Sequence, residues 1–282
     1  MPRQRLSSLA IGVGVYSAPK SQYSMTDCSL ITVALSHSAC PVQHRWHFIA
    51  NVRLKIGGIM TKTRYPWLDA LRAFAIYLMV IFHFSYDLNL FGHVDIDFQQ
   101  DLFWLWFPCV IVFLFLLSVG FSLRQAHYPD PRWPSFTKRL IKIAVCALGV
   151  SIATYFAFPN GWVYFGTLHN IAINSVVCLP FLGRPRLAII VCVLILVAEL
   201  LGLRWPWIQL EHSSMDYIPP LPWLAWVLLG IFLHSRGWHK LAFPSGRVWQ
   251  LLIWPGKHSL GIYMGHQIVL YSLVWAYTVL TQ

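Results

Sequence analysis

The chain has 282 residues, of which 57% are hydrophobic and only 11% charged, and its mean hydropathy is +0.58. Soluble chains carry roughly 25% charged residues, so a globule of this composition lacks the polar material to cover itself. That excludes a soluble enzyme, a disordered tail and a disulfide-stapled secreted module. The formal charge of +11 comes from Lys and Arg clustered between apolar runs, which is the pattern of positive-inside bias and not of a nucleic-acid partner.

Residues 1–59 mix Ser, Gln, Pro, His and Arg with short apolar patches and show no sustained period. No spanning helix is expected there. Met60 opens MTKTRYPWLDALR, which reads as a cytoplasmic start followed at once by a membrane helix. The expected division is therefore a disordered or mis-assigned segment at 1–59 and a transmembrane domain at 60–282. Within that domain about seven apolar segments of near-spanning length follow, at roughly 66–90, 102–122, 138–158, 164–182, 187–203, 221–236 and 259–280. Trp67, Trp104, Trp106, Trp162, Trp205, Trp207 and Trp223 fall near their ends, as interfacial aromatic belts do. The expected fold class is all-α, a polytopic transmembrane bundle of about seven helices in the lipid bilayer.

Basic residues set the expected orientation. Arg53, Lys55, Lys62 and Arg64 precede the first segment. Arg124, Arg132, Lys138, Arg139 and Lys142 lie between the second and third, Arg184 and Arg186 after the fourth, and Arg236, Lys240, Arg247 and Lys257 after the sixth. These alternate connections are expected in the cytoplasm, with Gln282 outside. The intervening connections carry Asp95, Asp97, Asp101, Glu211 and Asp216 and almost no Lys or Arg.

Ionisable groups inside spanning helices cost about 2.5 to 3.5 kcal/mol each, so each calls for a partner, a cavity or a function. At about 100° per residue Asp69, Arg72, His83 and Asp87 lie on one stripe of the first helix, with Ile76 between them. Asp69 and Arg72 are three residues apart and can pair. His83 lies about 16 Å further along. The fourth segment carries His169, Asn170 and Asn174 near its outer end, so that His83 and His169 are expected to face one cavity. In the last segment His266 lies about 11 Å beyond the helix start, close to the midplane. His44 with His47, and His234 with His239, are isolated pairs, Cys28 and Cys40 lack metal-type spacing, and no metal site is expected.

The string Leu68-Asp69-Ala70-Leu71-Arg72-Ala73-Phe74-Ala75-Ile76, followed by Met79-Val80-Ile81-Phe82-His83-Phe84 and Asp87-Leu88, resembles the first helix of the heparan-alpha-glucosaminide N-acetyltransferase catalytic-domain family. Arg72, ten intervening residues and His83 also match the Arg-and-His signature of the wider superfamily of integral-membrane acyltransferases. Phe165-Gly166-Thr167-Leu168-His169 and the block Gly256-Lys257-His258-Ser259-Leu260-Gly261-Ile262-Tyr263-Met264-Gly265-His266-Gln267 are similar to two further motifs of the family, and the likeness covers about residues 64 to 280. The resemblance implies a multi-pass protein of the bacterial cytoplasmic membrane. Acetyl-CoA would be its donor, on the cytoplasmic side, and a saccharide or similar polar molecule its acceptor, on the outer side. In the animal lysosomal enzyme the position of His83 is an asparagine and the catalytic histidine follows in the first outer loop, where His93 is the nearest counterpart here.

Residue chemistry and resemblance together assign expected roles. His83 is the base, oriented by Asp87 one turn away, with His169 and His93 as further catalytic candidates. Asp69, Arg72, Arg124 and Arg139 are expected on the donor side, since CoA carries phosphates and guanidinium groups bind them in bidentate fashion. Asn170 and His266 are expected to contact the acceptor. A bundle of this kind also admits homo-oligomers. The competing reading is a proton-coupled secondary transporter or flippase, which also uses intramembrane Asp, Arg and His, although no internal repeat is evident.

Overall fold

The computed structural model describes residues 65–212, 214–244 and 246–281, and they are helical throughout apart from connecting loops and one isolated bridge between Phe165 and Tyr217. The expectations for residues 1–59 and for a start at Met60 lie outside the described residues. The elements in chain order are α1 (Pro66–Leu90), α2 (Leu102–His127), α3 (Trp133–Ala157), α4 (Thr167–Val177), α5 (Pro185–Leu200), α6 (Pro220–Ser235), the short α7 (Arg247–Leu252) and α8 (Trp254–Lys257), and α9 (Ser259–Thr281).

Helix boundaries follow local chemistry. Pro66, Pro134, Pro185 and Pro220 stand in first turns, where a missing N–H costs nothing and the fixed φ suits a helix. Asp101 caps α2 by accepting from the Phe103 N–H at 3.0 Å. α1 stops where Gly92 takes a positive φ of 76°. Two boundaries depart from the apolar pattern. α2 runs on through Arg124 to His127, and α3 starts at Trp133, because basic residues continue a helix beyond the apolar run that announces it. The fourth segment shrinks to 11 residues. Phe165 runs extended beside Tyr217, and Pro180 sits in a 3₁₀ turn over Leu179–Phe181 after the helix.

Three helices, α1, α2 and α3, are by length and composition able to cross a membrane. α9 is slightly shorter, at 23 residues, and His266 and Gln267 dilute its apolar content. α5 and α6 have 16 residues each, about 24 Å at 1.5 Å per residue and short of a core about 30 Å thick. Each of the seven expected segments thus contains a helix, and among the described residues three are long and apolar enough to span unaided.

The polarity of the molecule is inverted relative to a soluble globule. Ile141, Val145, Leu148 and Ile152 form a stripe on α3 with exposures of 50–63%, and Leu194, Ile268, Leu273 and Leu280 are likewise exposed, while Asp87, Asn170 and Asn174 are wholly buried. An apolar exterior around polar interior groups suits a lipid solvent. The core is organised on α6, which is apolar all round and has Ala225, Val227, Leu228 and Ile231 at 0% exposure. It packs against α2 on one side and α5 on the other, with Leu116, Leu123, Ala188 and Cys192 at the contacts. A second cluster joins Ala75, Ile76 and Met79 of α1 to Ile111, Leu114 and Phe115 of α2, with Tyr263 of α9 against it.

The α2–α6 contact is a backbone contact. A Cβ on Gly120 would strike the Val227 carbonyl oxygen, and one on Gly230 would strike the Leu117 carbonyl oxygen. Small residues permit such an approach between membrane helices. Gly120→Val and Gly230→Val should each lower the thermal midpoint of the detergent-purified protein by several degrees, as overpacking costs about 1–3 kcal/mol. Gly149→Ala, whose Cβ would meet only Met264 Cε at 3.9 Å, should leave the midpoint unchanged. Fluorescence-monitored melting compares the three.

Candidate active site

The polar stripe of α1 faces inward. Asp69 and Asp87 are buried at 2% and 0% exposure, and Ile76 between them is at 2%. Arg72 Nη1 donates to Asp69 Oδ1 at 3.2 Å, and Arg72 Nη2 donates to Ser122 Oγ on α2. Ser122 Oγ in turn donates to the Ser118 carbonyl. One guanidinium therefore joins α1 to α2 while holding a buried carboxylate.

Arg72 also lines a cavity of about 250 Å³ together with Ser118 and Phe115 of α2, Arg139 of α3, Leu168 and Ile171 of α4, and Ser259 and Tyr263 of α9. Arg72 and Arg139 each lie six residues into their helices, about 9 Å from the basic ends. The cavity thus has two cations on one part of its wall and an apolar lining elsewhere. Ser259, Tyr263 and His266 are spaced i, i+4, i+7 and share a face of α9. From the cavity wall the Tyr263 ring leads to His266 at a centroid distance of 5.8 Å, and His266 leads to His83 at 4.8 Å.

His266 Nδ1–H donates to the Tyr263 carbonyl at 2.7 Å, so the proton of the neutral ring is on Nδ1 and Nε2 holds the lone pair. That Nε2 is buried and has no hydrogen-bond partner. Asp87 does not reach His83. Its Oδ1 accepts from Gln267 Nε2 at 2.9 Å, which ties α1 to α9, and its Oδ2 has no partner. Phe82, Phe98, Trp104 and Phe107 form a connected set of rings beside His83.

The remaining expected residues stand elsewhere. His169 accepts from the Gly166 N–H on Nδ1 at 3.2 Å and donates from Nε2 to Ser151 Oγ at 3.3 Å, while Ser151 donates to the Val163 carbonyl at 2.6 Å. It borders a separate crevice with Ala144, Ala147, Leu148, Phe165, Ala172 and Ile173, so His83 and His169 do not face one cavity. The register of α4 explains this: its short helix turns His169 toward α3, while Leu168 and Ile171 point into the cavity. Asn170 is at 0% exposure and its amide donates to the carbonyls of Ile218 and Pro219 at 3.2 and 2.8 Å. The Ile218 carbonyl would otherwise look to the N–H of residue 222, a proline with none to give. Asn170 is therefore a strut for the first turn of α6. His93 lies past the end of α1 and donates from Nε2 to Thr278 Oγ1 at 2.7 Å, since that hydroxyl already donates to the Val274 carbonyl. Arg124 is absent from the cavity wall; it stacks over the Tyr128 ring at 4.1 Å.

Tyr263 and Asp216 are the residues the sequence reading passed over. Tyr263 stood in the quoted terminal block, and the i, i+4, i+7 period was the signal for it. Asp216 sits in a loop without period. Its carboxylate accepts from the Thr167 N–H at 2.9 Å and from the Thr167 hydroxyl, capping α4. Burial pushes the Asp216 carboxyl above the usual range, and the two bonds from Thr167 pull it back.

The fold and cavity define a helical membrane protein with a half-open, partly cationic cleft between α1, α2, α3, α4 and α9. Residues 64–268 match the family described as "Heparan-alpha-glucosaminide N-acetyltransferase, catalytic", and the chain belongs to that family. It is a membrane protein of an acetyltransferase family. No curated protein and no solved structure matches it.

The Asp69–Arg72 pair has side chains only 4% and 22% exposed. Arg72→Ala should sharply lower folded yield, because breaking a buried pair typically costs about 3–5 kcal/mol. The double variant Asp69→Asn with Arg72→Ala should recover much of it. Size-exclusion yield in detergent measures both, and equal yields of single and double variants would show that charge is not the cause.

Proposed function

We propose that the chain is a multi-pass acetyltransferase of a bacterial cytoplasmic membrane. It takes acetyl from acetyl-CoA at the cytoplasmic face and transfers it to a hydroxyl or amine of a saccharide or similar polar acceptor at the outer face. The observation that carries this reading is the cavity with Arg72 and Arg139 on its wall, from which Tyr263, His266 and His83 run in ring contact. A ligand with an anionic end and a long uncharged arm suits such a lining. In this reading Arg72 and Arg139 hold the anionic end, and Phe115, Leu168 and Ile171 hold the arm. His83 takes the acceptor's proton as the general base. His266, with its free Nε2 beside His83, and the Asp87–Gln267 bond position that imidazole between α1 and α9. The basic connections support a cytoplasmic N-terminal side for α1 and an outer end for α9, within a seven-helix topology.

Purified protein in proteoliposomes, given radiolabelled acetyl-CoA on one side and a trapped amino sugar on the other, should label the sugar. A positioned base contributes about 10² to 10⁴ in rate, so His83→Ala should abolish labelling at normal yield. Turnover that survives His83→Ala but is lost in His93→Ala would move the base to the outer loop. Movement of unmodified sugar without labelling would instead favour a transporter.

Orientation is tested separately. A fluorescent protein fused after Gln282 should stay dark and a periplasmic phosphatase fused there should be active. The reverse pattern would overturn the sidedness of donor and acceptor.

A further inference from the structure

A second group of cationic side chains lies on the opposite side of α2 from the cavity. Ser122, which binds Arg72, and Arg124 are two residues apart, about 200° around the helix axis. Arg124 is at 7% exposure and its Nη1 is buried with no hydrogen-bond partner. Phe121, one turn earlier on the same face, packs against His234 of α6 with ring centroids 6.3 Å apart.

His234 itself is stacked on His239 at 3.8 Å and 9°, and both of its ring nitrogens are buried without a hydrogen-bond partner. The stack is made by a chain reversal after α6. Gly237 adopts a φ of +87°, its N–H donates to the His234 carbonyl at 3.0 Å, and a 3₁₀ turn over Trp238–Lys240 returns His239 over His234. His239 Nδ1–H donates to the same carbonyl at 3.0 Å, and Tyr65 packs edge-on against its ring. Among the described residues the charged groups acting on the two imidazoles are each other, Arg124 and Lys240, with no carboxylate acting on either. The arrangement gathers four potential cations and leaves three buried nitrogens unmatched. Buried polar groups are ordinarily hydrogen-bonded, and such exceptions call for a reason.

We infer that Arg124, His234, His239 and Lys240 form an anion site that takes a phosphate ester, separate from the Arg72–Arg139 cavity. A phosphoryl group has several acceptor oxygens and up to two negative charges. It can accept from Arg124 and from an imidazolium through separate oxygens and match the charge of both, which a neutral carbonyl or a monovalent chloride does not. The site lies beside the basic connections at the ends of α2 and α6, so the ester can belong to a lipid headgroup or to a soluble molecule. The inference does not depend on the acetyl-transfer reading, since no residue of the cavity enters it.

The full chain, purified in detergent, is melted with inorganic phosphate and, in a second arm, with a short-chain phosphatidylglycerol, each against potassium chloride of equal ionic strength. Saturation of the site should raise the thermal midpoint by about 3 °C. A rise with phosphate assigns a soluble ester; a rise with the phospholipid alone assigns a headgroup. Arg124→Gln and His234→Gln should each remove most of the rise. If Arg124→Gln fails to fold, His239→Gln and the exposed Lys240→Ala carry the same test. No rise with either probe in the unaltered protein, or an undiminished rise in the folded variants, would overturn the inference.

Discussion

The close approach of α2 and α6 is the constraint on which the rest of the molecule depends. At Gly120 and Gly230 neither helix can carry even one more carbon, and the carbonyls of Val227 and Leu117 occupy the space where a Cβ would be. This contact fixes α2 in both position and rotation. One face is then bound to present Ser118 and Ser122 to α1, and another to carry Phe121 and Arg124 toward the end of α6. A looser, side-chain-mediated packing would let α2 rotate, and the Arg72–Ser122 bond would no longer have a fixed partner. Gly256 extends the same device, since a Cβ there would strike the Asp69 carbonyl. It seats α8 against α1 and so sets where α9 begins.

Within that frame the polar groups divide by whether they are satisfied. Asp69, Arg72 and Ser122 form a set that links α1 to α2, and the amides of Asn170 and Asn174 form another by binding the proline-rich start of α6 and each other, with Asn174 Oδ1 left over. His169 is committed to the start of α4 and to Ser151. In a low-dielectric interior such networks hold helices in register. Groups left with unused capacity include the Nε2 of His266, one oxygen of Asp87 and nitrogens of Arg124 and His234, alongside the side-chain oxygens of Asn174 and Gln267 and the indole nitrogens of Trp207 and Trp226. The proposed chemistry and the proposed anion site both draw on such groups, because an unmatched polar atom has capacity to offer a ligand, and Arg72 keeps further N–H donors beyond the two bonds that link α1 to α2.

Periodicity made the all-helical class, the membrane setting and the inward polar stripe of α1 legible from the residues alone. A helix converts spacing into direction, and a group that is costly in lipid must face the interior. The Asp69–Arg72 pair was readable for the same reason, being three residues apart on one helix. The reach of α2 beyond its apolar run was not, because basic residues at a membrane boundary look the same in helix and loop. Nor were the partners of His83 and Asp87, since both lie about 180 residues away in the chain, at His266 and Gln267.

What the sequence determined by itself was which residues are polar, how far apart they lie along each helix and which of them share a face; the family motifs in the first and last helices were legible there too. What only the tertiary structure decided was which faces meet. It brought Arg139 and Tyr263 to Arg72, turned His169 and Asn170 away into structural roles, and moved Arg124 to the far side of α2. It also folded His239 back over His234. The physical reason is that the direction of a side chain within a helix is set by local backbone geometry. The rotation of one helix against another is set by close packing at points such as Gly120 and Gly230, whose partners no local pattern names.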